Sequence, residues 1–389
     1  MITNKALQIL ENSLVLTRNV NRAYDDSFAI EGAKIGSTLR IRLPNRYSVR
    51  TGAALSVQDY TENQVTLTVQ SQVGVDLNFT TAELTMNIDD FAERVLKPGV
   101  SQVASYIDND VANCYKDIWN SVGTPGTTPA TSLVLLQAQQ KLNESAAGMR
   151  PRYATVNPAA NASLVEGMKG FFNPTGTISR QFKEGMMGEG VLGYDEVNMS
   201  QSLNSFTSST QWTSPTVQTT NAGAGSTTLA VQGTGTWAAA VGDVFTVASV
   251  NAVNPQTRVS TGALQQFVVT TAASLTTNGN VSVQPPIYAS GPLQTVDRVP
   301  TANDVITIYA SASTSYPQNL VYHRDAITFA TADLVMPRGV DMASRKNYNG
   351  ISIRIVRQYD INNDRLPCRL DVLYGYKTIR PQMACRLWG

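Results

Sequence analysis

A single histidine occurs in the 389 residues, His323, and it stands in "NLVYHRDAITFATADLVMP" (319–337) with Arg324 and Asp325 directly after it. A His beside a carboxylate is the pairing from which a general base is built, provided a proton-bearing group lies within hydrogen-bond reach. With no second His, the partner would be a carboxylate or an activated Ser or Cys. The chain contains no GxSxG, and Cys114 falls on the packed face of a helix described below. His323, flanked by Tyr322, Arg324 and Asp325, therefore reads as a structural hydrogen-bonding residue. The carboxylate groups Asp89/Asp90, Asp108/Asp110 and Asp360/Asp364 could hold a metal or work as acid and base. Each has a simpler reading: a helix start, a solvated helix face and a turn. "DINNDRLP" lacks the Gly and the terminal Glu of a calcium loop, and "GMMGEGVLG" lacks the GK[ST] of a phosphate loop. The cysteines Cys114, Cys368 and Cys385 are odd in number and contain no CxxC, which argues against a disulfide framework and structural zinc. They read as reduced thiols packing as small hydrophobes. No catalytic, cofactor or metal site is expected, and an enzyme is not the expectation.

The elements that would position such residues are clear in outline. Residues 3–24 read as a helical arm with Leu7, Leu10, Leu14 and Val20 on one face. From "STLRIRLPNRYSVR" the period becomes two: Leu39, Ile41 and Leu43 point one way, Arg40 and Arg42 the other. "NQVTLTVQSQVGVDLNFT" alternates likewise, so residues 36–80 read as a long two-stranded excursion that needs a surface to lie on. In "NIDDFAERVLKPGVSQVASYIDNDVANCYKDIWNSVG", the residues Val100, Val103, Ile107, Val111, Cys114 and Ile118 keep helical spacing. Asp89 and Asp90 suit its start and Gly123 its stop, which predicts a spine of roughly 50 Å with a kink at Pro98-Gly99. Helix and strand then alternate to residue 215, as in a compact α+β unit. Between 216 and 312 the only charges are Asp243, Arg258, Asp297, Arg298 and Asp304, and five Val/Thr-rich segments recur between turns. That pattern predicts a small β-barrel or sandwich inserted into a host domain. "YNGISIRIVRQYDINNDRLPCRLDVLYGYKTIRPQMACRLW" holds two strands joined at "INND".

Length and charge bound the function. A chain of this size accommodates two or three compact units. Charged residues are 15% of the whole, against about 25% in an average globular protein. The net charge of +1 excludes binding of nucleic acid by phosphate neutralisation as the main work. The N-terminal "MITNKALQILENSLVLTRNV" is amphipathic rather than a signal peptide, and no run approaches a membrane span. The expectation is a soluble protein folding in a reducing cytoplasm. One interaction signal remains. Arg40, Arg42, Arg46 and Arg50 lie on or near one arm of the excursion, with Asp59 and Glu62 near the other. They form either a solvated strand face or an interface that lies along a neighbour's acidic helix, where Asp89, Asp90 and Glu93 stand.

These elements in this order resemble the major capsid proteins of tailed phages with the Hong Kong 97 fold, nearest to P22-type coat proteins of short-tailed phages with an inserted β-barrel. "GDVFTVASVNAVNPQTRVSTGALQQFVVT" (242–270), "VLGYDEVNMSQSLN" (191–204) and "NLVYHRDAITFATADLVMP" carry the resemblance most specifically. It implies an α+β Hong Kong 97-type fold in these parts: an N-terminal arm (1–32), an E-loop β-hairpin (33–82), and a long spine helix with peripheral domain (83–130). An axial α+β domain (131–215 and 313–345) is interrupted by the all-β barrel module (216–312), and a peripheral hairpin closes the chain (346–389). It further implies a virion protein that assembles in the host bacterial cytoplasm into pentamers and hexamers of itself, with His323 and Asp325 tying backbone where the chain leaves the module. The other implied partners are a separate scaffolding protein (the chain opens at the arm), a portal protein at one vertex, decoration proteins, and packaged double-stranded DNA held non-specifically. Relatives that crosslink use a Lys on the E-loop; none occurs between Lys34 and Lys97, which implies a non-covalent shell. The alternative is a tail, fibre or surface-layer protein, and a hydrolase is a more distant one.

Overall fold

A computed structural model describes residues 2–22, 38–47, 49, 52–53, 57, 63–80, 97–168, 188–221, 223–348 and 350–389. The chain divides into two compact units. The first comprises Met1–Leu43, Gln64–Ala112 and Ile327–Ile379; the second comprises Pro44–Asn63, Asn113–Ala326 and Arg380–Gly389. Among the described residues no helix is long and apolar enough to cross a membrane.

In the first unit the arm is two helices rather than one, α1 (Ile2–Ser13) and α2 (Leu16–Asn19). Leu7, Leu10, Leu14 and Val20 are buried, as their spacing predicts. The break between the helices has a cause in the third, α3 (Lys97–Ala112). Asp108 of α3 accepts the backbone N–H groups of Val15 (2.7 Å) and Thr17 (2.9 Å) and the Thr17 hydroxyl (2.5 Å). An N-cap carboxylate supplied from another helix satisfies donors that a continuous helix would direct elsewhere. Asp110, two residues further along and so on nearly the opposite side of the helix, accepts the hydroxyls of Tyr374 (2.7 Å) and Tyr376 (3.3 Å). The expected solvated face is thus covered on both flanks, by the arm and by a strand.

The spine also ends, as an α-helix, earlier than its periodicity suggests. Val100, Val103, Ile107 and Val111 are buried, but the α-helix ends at Ala112 and residues Asn113–Asp117 tighten into a 3-10 turn. The sixteen described α-helical residues span about 24 Å. Gly123 does not stop this helix; it takes φ +90° after the two-residue strand Ser121–Val122, where a Cβ would collide with the Trp388 carbonyl. Asp89 and Asp90 lie outside the described residues.

The excursion is partly a hairpin. Thr38–Arg42 pairs antiparallel with Gln64–Thr68, but Ser71–Thr80 leaves that ladder and pairs with Arg365–Thr378. Arg365–Thr378 also pairs with Ile327–Ala332 and with Ile351–Arg357, and the latter with Met342–Tyr348. Ile351, Ile353, Ile355, Leu370, Val372 and Tyr374 are buried, and "INND" is the apex between their strands.

The second unit holds a six-stranded mixed sheet in the order Ser121–Val122, Ala384–Leu387, Asn319–His323, Arg152–Val156, Tyr194–Met199, Gly188–Val191. Helices α4 (Ser132–Glu144) and α5 (Pro158–Met168) pack on it through Leu135, Leu142 and Leu164. A two-stranded neck, Ser205–Thr207 against Ser315–Pro317, leads into and out of the Val/Thr-rich segment. There a second six-stranded sheet runs Ile306–Ile308, Val244–Val253, Ser260–Val269, Asn278–Tyr288, Ala224–Thr234, Thr213–Val217. An antiparallel bridge between Thr216 and Val305, with the Val217 N–H on the Asp304 carbonyl (2.9 Å), brings the outer strands nearly into a closed ring. Among the described residues, its buried core runs from Trp212 to Ile306, with Ile308 packed against it.

Candidate functional site

His323 ends the strand Asn319–His323 and is 6% exposed. The Asp325 N–H donates to its Nδ1 at 3.2 Å, so that nitrogen carries a lone pair. The proton then sits on Nε2, which donates to the Arg150 carbonyl at 3.2 Å. Both ring nitrogens are occupied by backbone, leaving neither to abstract a proton. The Asp325 carboxylate lies 3.8 Å from Nδ1, beyond hydrogen-bond reach. The Arg324 N–H donates to the Pro151 carbonyl at 3.2 Å and extends the same seam.

The thiols are equally unsuited to nucleophilic work. All three are free and buried. Burial pushes Cys114 far above the ordinary thiol range, raises Cys368, and pushes Cys385 up to about 12. A thiolate is the reactive form, and these sites disfavour it. Asp360 accepts the Asn362 N–H (3.0 Å) and the Asn363 side-chain amide (2.8 Å), and Tyr359 donates to Asp364 (3.0 Å), the bonds of a closed turn. Among the described residues no three His, Cys, Asp or Glu side chains converge as metal ligands.

The hairpin carries the remaining signal. Ile41, Leu67 and Val69 are buried with Ala330, Ala332 and Ile379, which fixes the inward face. Alternation then turns Arg40 and Arg42 outward, and both are exposed. Across the ladder stand Thr66 opposite Arg40 and Gln64 opposite Arg42. Arg46 belongs to the second unit, half-buried, where burial and the positive charge of Arg380 lower its pKa. Arg50, Asp59, Glu62, Asp89, Asp90 and Glu93 lie outside the described residues.

Against whole families of sequences, the model described as "P22 coat protein - gene protein 5" matches residues 1–389, from the arm through the ring-like module to the final strand. The chain belongs to the P22 coat protein family. It is a major capsid protein, a structural subunit of the icosahedral phage shell, and its work is to associate with copies of itself in the virion capsid. Solved structures with similar backbones include one of Mycobacterium phage Che8, at 11% identity over 96% of this chain and 90% of that one, TM-score 0.45. The capsid of cyanophage P-SCSP1u is similar at 11% identity over 91% and 83%, TM-score 0.46. A virus-like particle from Pyrococcus furiosus is similar at 8% identity over 99% and 97%, TM-score 0.40. Comparison with curated proteins finds no match.

Among the described residues, buried charges of this coat protein escaped the sequence reading, Asp371 and Arg386 among them. Asp371, fully buried, binds Arg354 (2.6 Å) and Arg369 (2.8 Å). Arg386 is fully buried in the strand Ala384–Leu387. The available signal was the same for both: a lone charge inside an apolar run, "LDVLY" and "ACRLW".

Proposed function

We propose that the coat protein closes its shell without covalent links, and that the Arg40/Arg42 face of the hairpin is a contact to carboxylates of a neighbouring subunit. One observation carries this reading: Leu39 and Ile41 anchor the hairpin inward, and strand alternation turns Arg40 and Arg42 to its exposed face. A single exposed ion pair contributes about 0–1 kcal/mol. Repeated around pentamers and hexamers, such contacts sum to a stable shell. The chain lacks lysine from residue 35 to 96, so this hairpin offers no amine for an isopeptide link.

In the same reading the organisation is of the Hong Kong 97 type. The first unit supplies arm, E-loop base, spine helix and peripheral sheet. The second supplies the axial domain with the module as an inserted barrel. Assembly takes place in the host cytoplasm with a separate scaffolding protein, around a portal at one vertex. The near-neutral chain confines double-stranded DNA without gripping it, and decoration proteins sit outside. Replacing Arg40 and Arg42 together by Glu tests the contact. The double variant is expected to fold with the parent's circular dichroism and thermal midpoint, yet to remain as subunits when co-expressed with scaffold. Normal particles from it would overturn the hairpin contact.

A further inference from the structure

Arg386 is the one charged side chain of the strand Ala384–Leu387, and no part of it reaches solvent. Its backbone is held between Ser121–Val122 and Asn319–His323 in the host sheet. Its side chain leaves that sheet. Nη1 donates to the Gly242 carbonyl at 2.7 Å, and the guanidinium lies 5.2 Å from the centroid of the Tyr115 ring. A cation over an aromatic face is attracted by the ring quadrupole, more so when desolvated. Burial draws its pKa down to about 10, opposed by Tyr316, Tyr115 and Asp243, so the group remains charged at neutral pH.

The carbonyl it grips belongs to the ring-like module and is presented by a rigid turn. Gly242 takes φ +104°, and a Cβ there would already touch Phe206 and Tyr115 at 3.4 Å. Its N–H donates to the Val269 carbonyl at 2.9 Å. The next residue, Asp243, accepts the Ala240 N–H at 2.9 Å and the Ser209 hydroxyl. Two further side chains seat the module on the host. Gln266 brackets Ser121, accepting its N–H (2.7 Å) and donating to its carbonyl (2.9 Å). Asn254 donates to the Glu144 carbonyl at 3.0 Å. All three attachments run from a side chain to backbone, whereas the module's apolar core is complete within its own residues.

We propose that Arg386 is a latch, a positioning residue that seats the module on the host sheet through the Gly242 turn and acts after the module has folded. The order follows from the chain: Arg386 lies 144 residues beyond Gly242, so the module's core can form before the latch exists. A buried cation with Nε and Nη2 unpartnered contributes little to net stability, because desolvation offsets its bonds. It does favour this seating, because any other forfeits the bond from the guanidinium to the Gly242 carbonyl.

Hydrogen exchange of the full-length subunit, read by mass spectrometry, tests this. Arg386→Met keeps the stem and removes the charge. Amides of Gly242, Asp243 and Ser121 are expected to exchange roughly tenfold faster or more, as for loss of a charge-assisted hydrogen bond. Amides of Val247, Phe267 and Val283 in the module core should keep their protection, and Arg386→Lys should restore part of the loss. Unchanged exchange at the turn, or equal loss through the module core, overturns the latch. Should Arg386→Met not fold, Tyr115→Leu decides the matter. Removing the ring under the guanidinium is expected to give the same pattern, smaller in size, and unaltered exchange at the turn overturns the proposal.

Discussion

Asp371 has no solvent exposure and is nonetheless kept ionised. Burial works against the charge, but bonds from Arg354, Arg369 and Gln72 together outweigh it and hold the carboxyl below the ordinary aspartate range. A folded-state pKa below the unfolded value means a stabilisation that is present at neutral pH and lost as acid protonates the group in the native state. Asp371→Asn is therefore expected to lower stability by roughly 3 kcal/mol at neutral pH in urea titration, the cost of breaking a buried pair. The gap should close in strong acid; a gap independent of pH would contradict the assignment. Asp371 and Asp108 show where sequence reading stops at this scale. Alternation and helical spacing identify the inward face, here Leu370 and Val372, or Val103 and Ile107. They say nothing of a second layer on the other face, and Asp108 meets its partners 91 and 93 residues away in the chain.

At the scale of elements, the strands and the helical positions were legible because burial imposes periods of 2 and 3.6. Changes of partner were not. Val65, Leu67, Val69, Val73, Val75 and Leu77 all share one parity, so the alternation runs unbroken across residues 69–70, where the chain passes from one ladder to another. Cys114 and Ile118 likewise continue the spacing of α3 past the point where it tightens into a 3-10 turn. Close approach of backbones was equally hidden. Gly375 lies between Tyr374 and Tyr376, and a Cβ there would stand 2.2 Å from the Thr68 carbonyl oxygen. That neighbour is backbone and cannot rotate away. Gly375→Ala is expected to cost about 1–3 kcal/mol through displacement of the strand Gln64–Thr68. A thermal midpoint equal to the parent's would show that the hairpin base tolerates the shift.

For the whole molecule, low charge density, the lack of a reactive constellation and the order of elements pointed to self-association, and the full-length family match makes the chain a coat protein. Sequence periodicity could not divide the chain into its two units, because each is assembled from three separate stretches. The central claim is that this subunit exists to tile with its own copies. Negative-stain electron microscopy of the protein co-expressed with a scaffolding protein tests it most directly. Closed, uniform, multi-megadalton shells are the expected result. Monomers or small oligomers alone, under every scaffold ratio, would contradict it.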